Sequence, residues 1–413
     1  MNGKAQLFVF LLLMFFFSGA IAITGNNVFL LASTLITFII CIAKHRQVNY
    51  RLLFLIVLFF TAVTYISDIF FPLPTDLLVV IGTILRVVFA LSAATLLGFK
   101  FYDYYFQFIY MMAIISIPMY LIQNFYPQLF TQMLLPLAKA MSTDLRYNFK
   151  IYSYIIHTFH VNSPLRNSGF MWEPGAFGMA IGIALYYGLS AFKFQWNKQM
   201  LVLLVAGLTT LSTTFYFSLA CIFVFYLTNK FRNNFKKIIL LSLASFVSVY
   251  FFNNLPFLKE KIEFNIEHYD YYTKGGHLEM MTDIGGQSGR LISFAANLKS
   301  FLQYPLGHGD NISYQVTNAL GEIISGANGL GPFMVRYGII GIIFLIISLN
   351  KTSLYFKKVF QARFPQIFIL LVLIYLFSNP IYRNPFFFTL LFLPFVSHKE
   401  QPIQANTVNK QNQ

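Results

Sequence analysis

Charged residues, and acidic residues most of all, are scarce in this sequence. Only 10% of the 413 residues are charged and 14 are acidic, whereas 57% are hydrophobic. A soluble domain carries about 25% charged residues, so the composition excludes an ordinary soluble enzyme. Apolar runs of about 20 residues recur along the chain, and each is long enough to cross a bilayer as a helix. The sequence therefore predicts an all-α polytopic membrane protein and not a barrel, whose strands would appear as short alternating segments.

Cysteines and recognisable metal motifs are also nearly absent. The two cysteines, Cys41 and Cys221, lie in separate apolar runs and offer neither a disulfide framework nor a metal-binding spacing. The sequence contains no CxxC, HExxH, Walker or GxGxxG pattern. Histidines in the loops show no ligand spacing with a carboxylate. We therefore expect no metal ion and no cofactor.

Apolar runs, which the chain has in abundance, divide it into membrane and loop regions. The predicted crossings lie near 6–23, 27–43, 52–70, 77–97, 104–125, 174–192, 200–211, 215–228, 238–252, 331–349, 365–379 and 385–397. The first run resembles a signal peptide, but its length and the span that follows predict an uncleaved helix. The resulting regions are N-terminal transmembrane helices (1–125), a first extracytoplasmic loop (126–173), central transmembrane helices (174–252), a second extracytoplasmic loop (253–330), C-terminal transmembrane helices (331–397) and a cytoplasmic tail (398–413).

The surplus of basic residues predicts which loops face the cytoplasm. The net charge is +15, which in a soluble protein would suggest a nucleic-acid partner. In membrane proteins, however, short cytoplasmic loops collect lysine and arginine. If both termini are cytoplasmic, that side carries 17 basic residues against Asp103 and Glu400, and basic and acidic residues balance elsewhere. Its basic loops are 44–51, 100–103, 193–198, 229–237 and 350–363. The surplus of basic residues then indicates which loops face the cytoplasm, and we expect no nucleic-acid partner.

This topology constrains the segment between the loops 193–198 and 229–237, because both loops are predicted to be cytoplasmic. It must cross the membrane an even number of times, yet its roughly 29 residues would form only about 44 Å of helix. That length is long for one span and short for two. We therefore predict a hairpin of two shallow legs, 200–211 and 215–228, with the tip at 212–214. The alternative is one long tilted helix whose hydroxyl side chains bond back to their own carbonyls.

The stretch RNSGFMWEPGAFGMAIG (166–182) places charges and aromatic rings at the start of an apolar helix. Pro174 suits the first turn of that helix, and a helix start attracts anions. Arg166 offers a planar fork for phosphate oxygens, the ring of Trp172 can cover a sugar, and Glu173 can act as a general base. The pattern favours a site for an anionic sugar ligand. The alternative is an interfacial cap in which Glu173 satisfies the helix dipole and Arg166 reaches to water.

The second outer loop contains two further candidates. Residues 290–303 are predicted to form a helix with Arg290 at its start and an apolar face that includes Leu302. The tight turn that follows carries His308, a candidate general base. The alternative for His308 is a solvated surface histidine.

Two arginines are predicted to lie within membrane spans. Arg336 is about one turn below the outer surface, and Arg86 lies in the middle of 77–97. An arginine at the bilayer centre costs at least about 2.5 kcal/mol, so it is expected to face a cavity, a ligand or a partner. The alternative for Arg86 is a structural pair with a helix carbonyl or with Asp68.

Four stretches together resemble the O-antigen and capsular polysaccharide polymerases, members of a superfamily of membrane glycosyltransferases that includes the O-antigen ligases. In the family's order they are RNSGFMWEPGAFGMAIG (166–182), LTTLSTTFYFSLA (208–220), GRLISFAANLKSFLQYPLGHGDN (289–311) and GANGLGPFMVRYGIIGI (326–342). The resemblance covers about 160 to 350, with a matching hydropathy plan elsewhere. The order and placement of the motifs are more specific than any one motif.

The resemblance implies a metal-independent, multi-pass glycosyltransferase of the bacterial inner (cytoplasmic) membrane. Such enzymes transfer a growing chain from its polyprenyl-diphosphate carrier onto the next lipid-linked repeat unit at the outer face, and no nucleotide sugar is used. Donor and acceptor are therefore both polyprenyl-diphosphate-linked oligosaccharides, and the product is O-antigen or a capsular or exopolysaccharide. Membrane lipid, a chain-length regulator and a flippase are the implied partners. The resemblance assigns diphosphate binding to Arg166 and Arg290, and through a weaker correspondence to Arg336 and Arg86.

One position departs from the ligase branch of this superfamily. The ligases have a histidine before the asparagine in the loop ahead of the late span, where this chain has Ala327. The departure weakens a ligase interpretation and leaves Glu173 as the first candidate general base and His308 as the second. An O-antigen ligase-type transferase and a lipid-linked oligosaccharide flippase are the alternative functions. Transporters more often show paired halves, which this sequence lacks. A scaffold for glycan assembly is a further alternative.

Overall fold

The computed structural model describes residues 2–44, 49–70, 76–128, 150–161, 165–231, 290–309 and 328–396, together with residues 130, 132, 136, 140 and 141. These residues are mostly helical. The helices are α1 (Asn2–Ser18), α2 (Asn27–Ala43), α3 (Tyr50–Phe70), α4 (Leu77–Leu97), α5 (Lys100–Phe125), α6 (Pro174–Ala191), α7 (Lys198–Thr209), α8 (Thr213–Lys230), α9 (Arg290–Gln303), α10 (Leu330–Phe360), α11 (Ile367–Ser378) and α12 (Pro385–Val396). Short 3-10 turns lie at Ala22–Gly25 and Ile381–Arg383.

Four of the described helices, α4, α5, α6 and α10, are long and apolar enough to cross a membrane. The helices α1, α2, α7, α11 and α12 are also apolar but shorter. Most predicted crossings coincide with a helix, and the crossing near 238–252 lies outside the described residues. The structure thus supports a helical membrane protein, while the number of crossings and the side of each terminus stay predictions.

A small β-hairpin between α5 and α6 was not predicted from the sequence. Its strands, β1 (Ile151–Ser153) and β2 (Thr158–His160), pair antiparallel, with Tyr152 opposite Phe159. Phe159 is almost fully buried and packs with Phe130. The N–H of Thr158 donates to the carbonyl of Gly169 at 2.7 Å and so connects the hairpin to the residues before α6.

The segment between the two basic loops divides into two helices, as the topology requires. The break lies at 210–212, two residues before the predicted tip, and Leu211 has a left-handed backbone with φ of 46°. Hydroxyls help to end α7, because Oγ1 of Thr209 and of Thr210 donate to carbonyls three residues earlier, at 2.8 and 2.7 Å. The alternative of one long tilted helix is wrong.

The long helix α10 differs from its prediction in two ways. It continues to Phe360, through most of the basic loop predicted at 350–363, where Lys357 and Lys358 in the last turn complement the negative end of the helix. It is also broken at Gly338, which has φ of 59° and ψ of −163°. The residues after α9 fill this break, since the N–H of Ile339 donates to the carbonyl of Pro305 at 2.8 Å.

The buried face of α9 also differs from the prediction. The helix covers the predicted residues, but Ser293 and Ser300 are buried while Leu302 is 70% exposed. Nδ2 of Asn328 donates to Oγ of Ser293 at 2.9 Å and so connects α9 to the start of α10.

The helix α6 lies at the centre of the described structure and is buried along almost its whole length. It packs against α5, α7, α8 and α11. The sequence predicts a small-residue face at Gly175, Gly178 and Gly182, and the structure confirms close packing there. A Cβ at Gly178 would lie 2.9 Å from the Cβ of Phe215, and one at Gly182 would overlap the hydroxyl of Tyr375. The glycines therefore allow α8 and α11 to approach α6 closely.

Candidate functional site

The starts of α6, α8 and α10 meet around the C-terminal end of α11. The hydroxyls of Thr214, in the first turn of α8, and Ser378 hydrogen-bond at 2.8 Å. A Cβ at Gly329, just before α10, would overlap the carbonyl of Asn379. Oδ1 of Asn379 lies 3.7 Å from the Cβ position of Gly175, in the first turn of α6. Because helix starts present N–H groups and partial positive charge, this convergence attracts anions.

Glu173 and Arg290 form an ion pair at this convergence. Oε1 of Glu173 lies 3.7 Å from Nη2 of Arg290, and the two side chains are 32% and 27% exposed. Arg166 lies within electrostatic range of both. Glu173 has the extended backbone expected before a proline, and its side chain makes no capping hydrogen bond to α6. An interaction of its charge with the helix dipole stays a prediction. The structure thus brings together three of the predicted site residues.

Hydrogen bonds fix the loop that carries Arg166. The backbone N–H and the Nδ2 of Asn167 both donate to Thr209, each at 3.0 Å. Nε2 of Gln123 donates to the carbonyl of Arg166 at 3.2 Å, and Nε of Arg166 donates to the carbonyl of Thr210 at 3.4 Å. The loop is thereby attached to α5 and to the α7–α8 turn, which together set the position of the guanidinium group.

The charge of Arg166 is partly desolvated. Burial lowers its pKa, the carboxylate of Glu173 raises it, and the neighbouring Arg290 lowers it. Two guanidinium groups and one carboxylate give the group a net positive charge. An anion that bound between the two arginines would relieve their mutual repulsion and replace the hydration that Arg166 has lost.

Asn379 was missed by the sequence analysis. Its side chain is fully buried, and within the described part of the chain neither Oδ1 nor Nδ2 has a hydrogen-bond partner. The Cβ position of Gly175 lies 3.2 Å from Oε1 of Glu173 and 3.7 Å from Oγ of Ser212, so both oxygens share the neighbourhood of the amide. An unsatisfied buried amide costs about 1–3 kcal/mol, so its retention in the chain calls for an explanation.

The structure places His308 at the opposite end of α9 from Arg290. Its N–H donates to the carbonyl of Val335 at 2.9 Å, and its Nε2 lies 3.3 Å from Oγ of Ser300. The side chain is 5% exposed, so the alternative of a solvated loop histidine is wrong. Burial lowers the pKa of His308 to about 4, a backbone hydrogen bond raises it, and Arg336 lowers it. Such a neutral, weakly basic imidazole is a poor proton acceptor near pH 7.

Trp172 faces the end of α1. A Cβ at Gly19 would lie 2.9 Å from Cε3 of the indole, and the N–H of Trp172 donates to the carbonyl of Ser18 at 3.2 Å. The ring is only partly buried. These contacts fix the position of Trp172, which directly precedes Glu173 in the chain. Stacking of the indole on a sugar stays a prediction.

Arg86 and Arg336 lie in another group, together with a third arginine that the sequence analysis missed. The guanidinium carbon of Arg336 lies 5.7 Å from the ring centre of Tyr382, and that of Arg383 lies 5.6 Å from the same ring. Arg86 is within electrostatic range of Arg383 and Tyr337. The side chain of Asp68, the alternative partner for Arg86, lies outside the described residues, as does Ala327.

Among the residues that the structure describes, no group of three or more histidine, cysteine, aspartate or glutamate side chains could hold a metal ion. The chain matches no known protein-family model, no curated protein sequence and no solved structure. The described site residues offer guanidinium groups, a carboxylate, an amide and hydroxyls. Such groups bind phosphate, hydrogen-bond to sugar hydroxyls and accept a proton.

Proposed function

We propose that this chain polymerises polyprenyl-diphosphate-linked oligosaccharide repeat units into a surface polysaccharide at the outer face of the bacterial inner membrane. The observation that carries the proposal is the ion pair of Glu173 with Arg290, with Arg166 beside it, at the meeting point of helix starts. These residues come from the two long loops predicted to be extracytoplasmic. They also lie in the stretches that resemble the polymerases.

In the proposed reaction, a hydroxyl of the acceptor sugar attacks the anomeric carbon of the donor chain. The new C–O bond forms as the bond between that carbon and the diphosphate oxygen breaks, and polyprenyl diphosphate leaves with the bonding electrons. The hydroxyl proton passes to Glu173. Negative charge develops on the leaving oxygen, and positioned donors such as the guanidinium groups of Arg166 and Arg290 stabilise it.

The ion pair suggests how Glu173 becomes available as a base. Without a ligand, Arg290 lies against the Glu173 carboxylate. An arriving diphosphate competes for Arg290 because phosphate accepts two hydrogen bonds from a guanidinium fork. The Glu173 carboxylate is then released from its ionic partner and can accept the proton of the attacking hydroxyl. We prefer Glu173 to His308 because His308 lies beyond the far end of α9 and its pKa is lowered to about 4.

Deletion of the gene tests the proposed function against its alternatives. We expect the deletion strain to carry surface glycan of single repeat units, with lipid-linked repeats at the outer face. Long chains left on the carrier would instead indicate a ligase-type transferase. Repeat units held at the cytoplasmic face would indicate a flippase. Sizing the glycan on a gel, with parallel extraction of lipid-linked intermediates, separates these outcomes.

Replacing Asn379 with leucine is expected to stabilise the protein while reducing polymerisation. Leucine has a similar volume and removes an unsatisfied buried amide, so the free energy of unfolding should rise by about 1–3 kcal/mol. The chain would at the same time lose a group that can hydrogen-bond to a sugar hydroxyl, and polymer formation should fall by about tenfold or more. Thermal unfolding of the detergent-purified protein and a polymerisation assay measure the two effects.

Asn384 provides the matched control for this prediction. Its Nδ2 donates to the carbonyl of Phe16 and its Oδ1 accepts from the N–H of Phe386, both at 2.9 Å. Asn384→Leu should therefore lower the stability. Equal destabilisation by Asn379→Leu and Asn384→Leu, or unchanged polymerisation in Asn379→Leu, would contradict a functional role for the Asn379 amide.

A further inference from the structure

Arg86, Arg336 and Arg383 converge from three separate elements and form what we call the second arginine group. Arg86 belongs to α4, Arg336 to α10 and Arg383 to the 3-10 turn between α11 and α12. Arg336 and Arg383 approach the ring of Tyr382, at 5.7 and 5.6 Å, and Arg336 also lies 5.8 Å from the ring of Tyr337. The electronegative faces of aromatic rings stabilise guanidinium groups at such distances.

The second arginine group is separated from the first, which consists of Arg166 and Arg290. Arg290 is the first residue of α9, and the N–H of Gly309, shortly after the end of that helix, donates to the carbonyl of Arg336 at 3.1 Å. The helix has 14 residues, which at 1.5 Å per residue gives a length of about 20 Å. The backbone of Arg336 thus lies near the end of α9 that is opposite Arg290.

Three guanidinium groups repel one another, and the repulsion is strongest where water is excluded. Arg336 is only 4% exposed, whereas Arg383 is exposed, so the group connects a buried position to the surface. Arginine is the residue that binds phosphate oxygens through two parallel hydrogen bonds. The convergence therefore fits a ligand that carries at least one phosphate.

We propose that the second arginine group binds the diphosphate of the acceptor, while Arg166 and Arg290 bind that of the donor. This inference rests on the proposed function. The acceptor attacks through a sugar hydroxyl at the end of its oligosaccharide that is remote from its own lipid diphosphate. The acceptor diphosphate must therefore lie the length of a repeat unit away from the reacting carbon. Two separate arginine groups can meet this requirement, whereas one shared site cannot.

The number of bound diphosphates tests the proposal. Farnesyl diphosphate serves as the probe, and native mass spectrometry of the detergent-purified full chain counts bound copies during a titration. We expect two copies on the unaltered protein. Arg383→Gln should weaken one of the two binding events by at least about tenfold and leave the other unchanged, because it removes a charge-assisted hydrogen bond. Arg290→Gln should weaken the other event.

Further variants keep the result interpretable. Arg336→Lys retains the buried charge but loses the planar fork, so it should weaken the same event as Arg383→Gln with less risk to folding. Lys358→Gln, at the other end of α10, should leave both events unchanged. A single binding event on the unaltered protein would overturn the proposal. Weakening of one and the same event by Arg383→Gln and by Arg290→Gln would also overturn it.

Anionic phospholipid is the other source of a lipid-borne phosphate. Titration with phosphatidylglycerol should not displace the second farnesyl diphosphate at equal concentration, and displacement would assign the second group to phospholipid. The proposed function and this inference can be contradicted by different results. The protein could bind two diphosphates independently and yet form no polymer from purified lipid-linked repeats. That result would support the two binding sites and would contradict the proposed polymerase activity.

Discussion

Replacing Glu173 with glutamine is expected to lower the rate of polymer formation by about two to four orders of magnitude, the usual contribution of a general base. Glutamine keeps the size of the side chain and can still hydrogen-bond to Arg290, but it does not accept the proton of the attacking hydroxyl. The amount of protein in the membrane should stay normal, because the Glu173 side chain is partly exposed and makes no capping hydrogen bond to α6. The rate is measured with purified protein and lipid-linked repeat units.

Two variants make this prediction specific. Glu173→Asp retains a carboxylate on a shorter side chain and should recover part of the rate. Asp76→Asn makes the same carboxylate-to-amide change at the start of α4, where Oδ1 of Asp76 accepts from the N–H of Leu78 at 2.9 Å. Asparagine also caps helices, so this control should polymerise at the normal rate. Normal polymerisation by Glu173→Gln would exclude Glu173 as the base.

Arg166→Ala and Arg290→Ala are each expected to reduce polymer formation by about 10²- to 10³-fold, the loss seen when a positioned donor to a developing negative charge is removed. Both guanidinium groups lie beside Glu173, and Nε of Arg166 donates to the carbonyl of Thr210, a hydrogen bond that alanine cannot make. The effects of the two changes should not add, because residues that act on one leaving group form a unit. The length distribution of polymer in a complemented deletion strain shows the effect directly.

Lys299 provides a control on the same helix as Arg290. It is exposed on α9, so Lys299→Ala removes a positive charge without removing a member of the group. This variant should make polymer of normal length. Full-length polymer in both Arg166→Ala and Arg290→Ala would remove the arginines from the mechanism, whatever the outcome for Glu173.

The sequence predicted those parts of the fold that depend on local composition. Long apolar runs identify helices because burial of apolar surface and internal backbone hydrogen bonds are both required in lipid. The start of α6 at Pro174 follows from the restriction that proline imposes. The parity of basic loops predicted a division at 212–214, and the structure has it at 210–212. The pairing of Glu173 with Arg290 agrees with their placement on loops predicted to share one side of the membrane.

Other features depend on contacts between distant parts of the chain and left no local signal. Asn379 follows an apolar helix like many turn asparagines, and only the packing of α6, α8 and α10 around it buries its amide. Arg383 resembles an ordinary interfacial arginine until Tyr382 and Arg336 are brought beside it. The break at Gly338 required the backbone of residues after α9 to insert into α10. In each case, the sequence specifies the residue but the tertiary contact specifies its role.

The most direct test of the central claim is the stoichiometry of the reaction in proteoliposomes that contain only this chain and a lipid-linked repeat unit. Released polyprenyl diphosphate and newly formed glycosidic linkages are counted in the same sample. We predict one polyprenyl diphosphate released per linkage formed, with both quantities strongly reduced in Glu173→Gln. Intact lipid-linked repeats after incubation with folded protein, or linkages formed equally well by Glu173→Gln, would contradict the account.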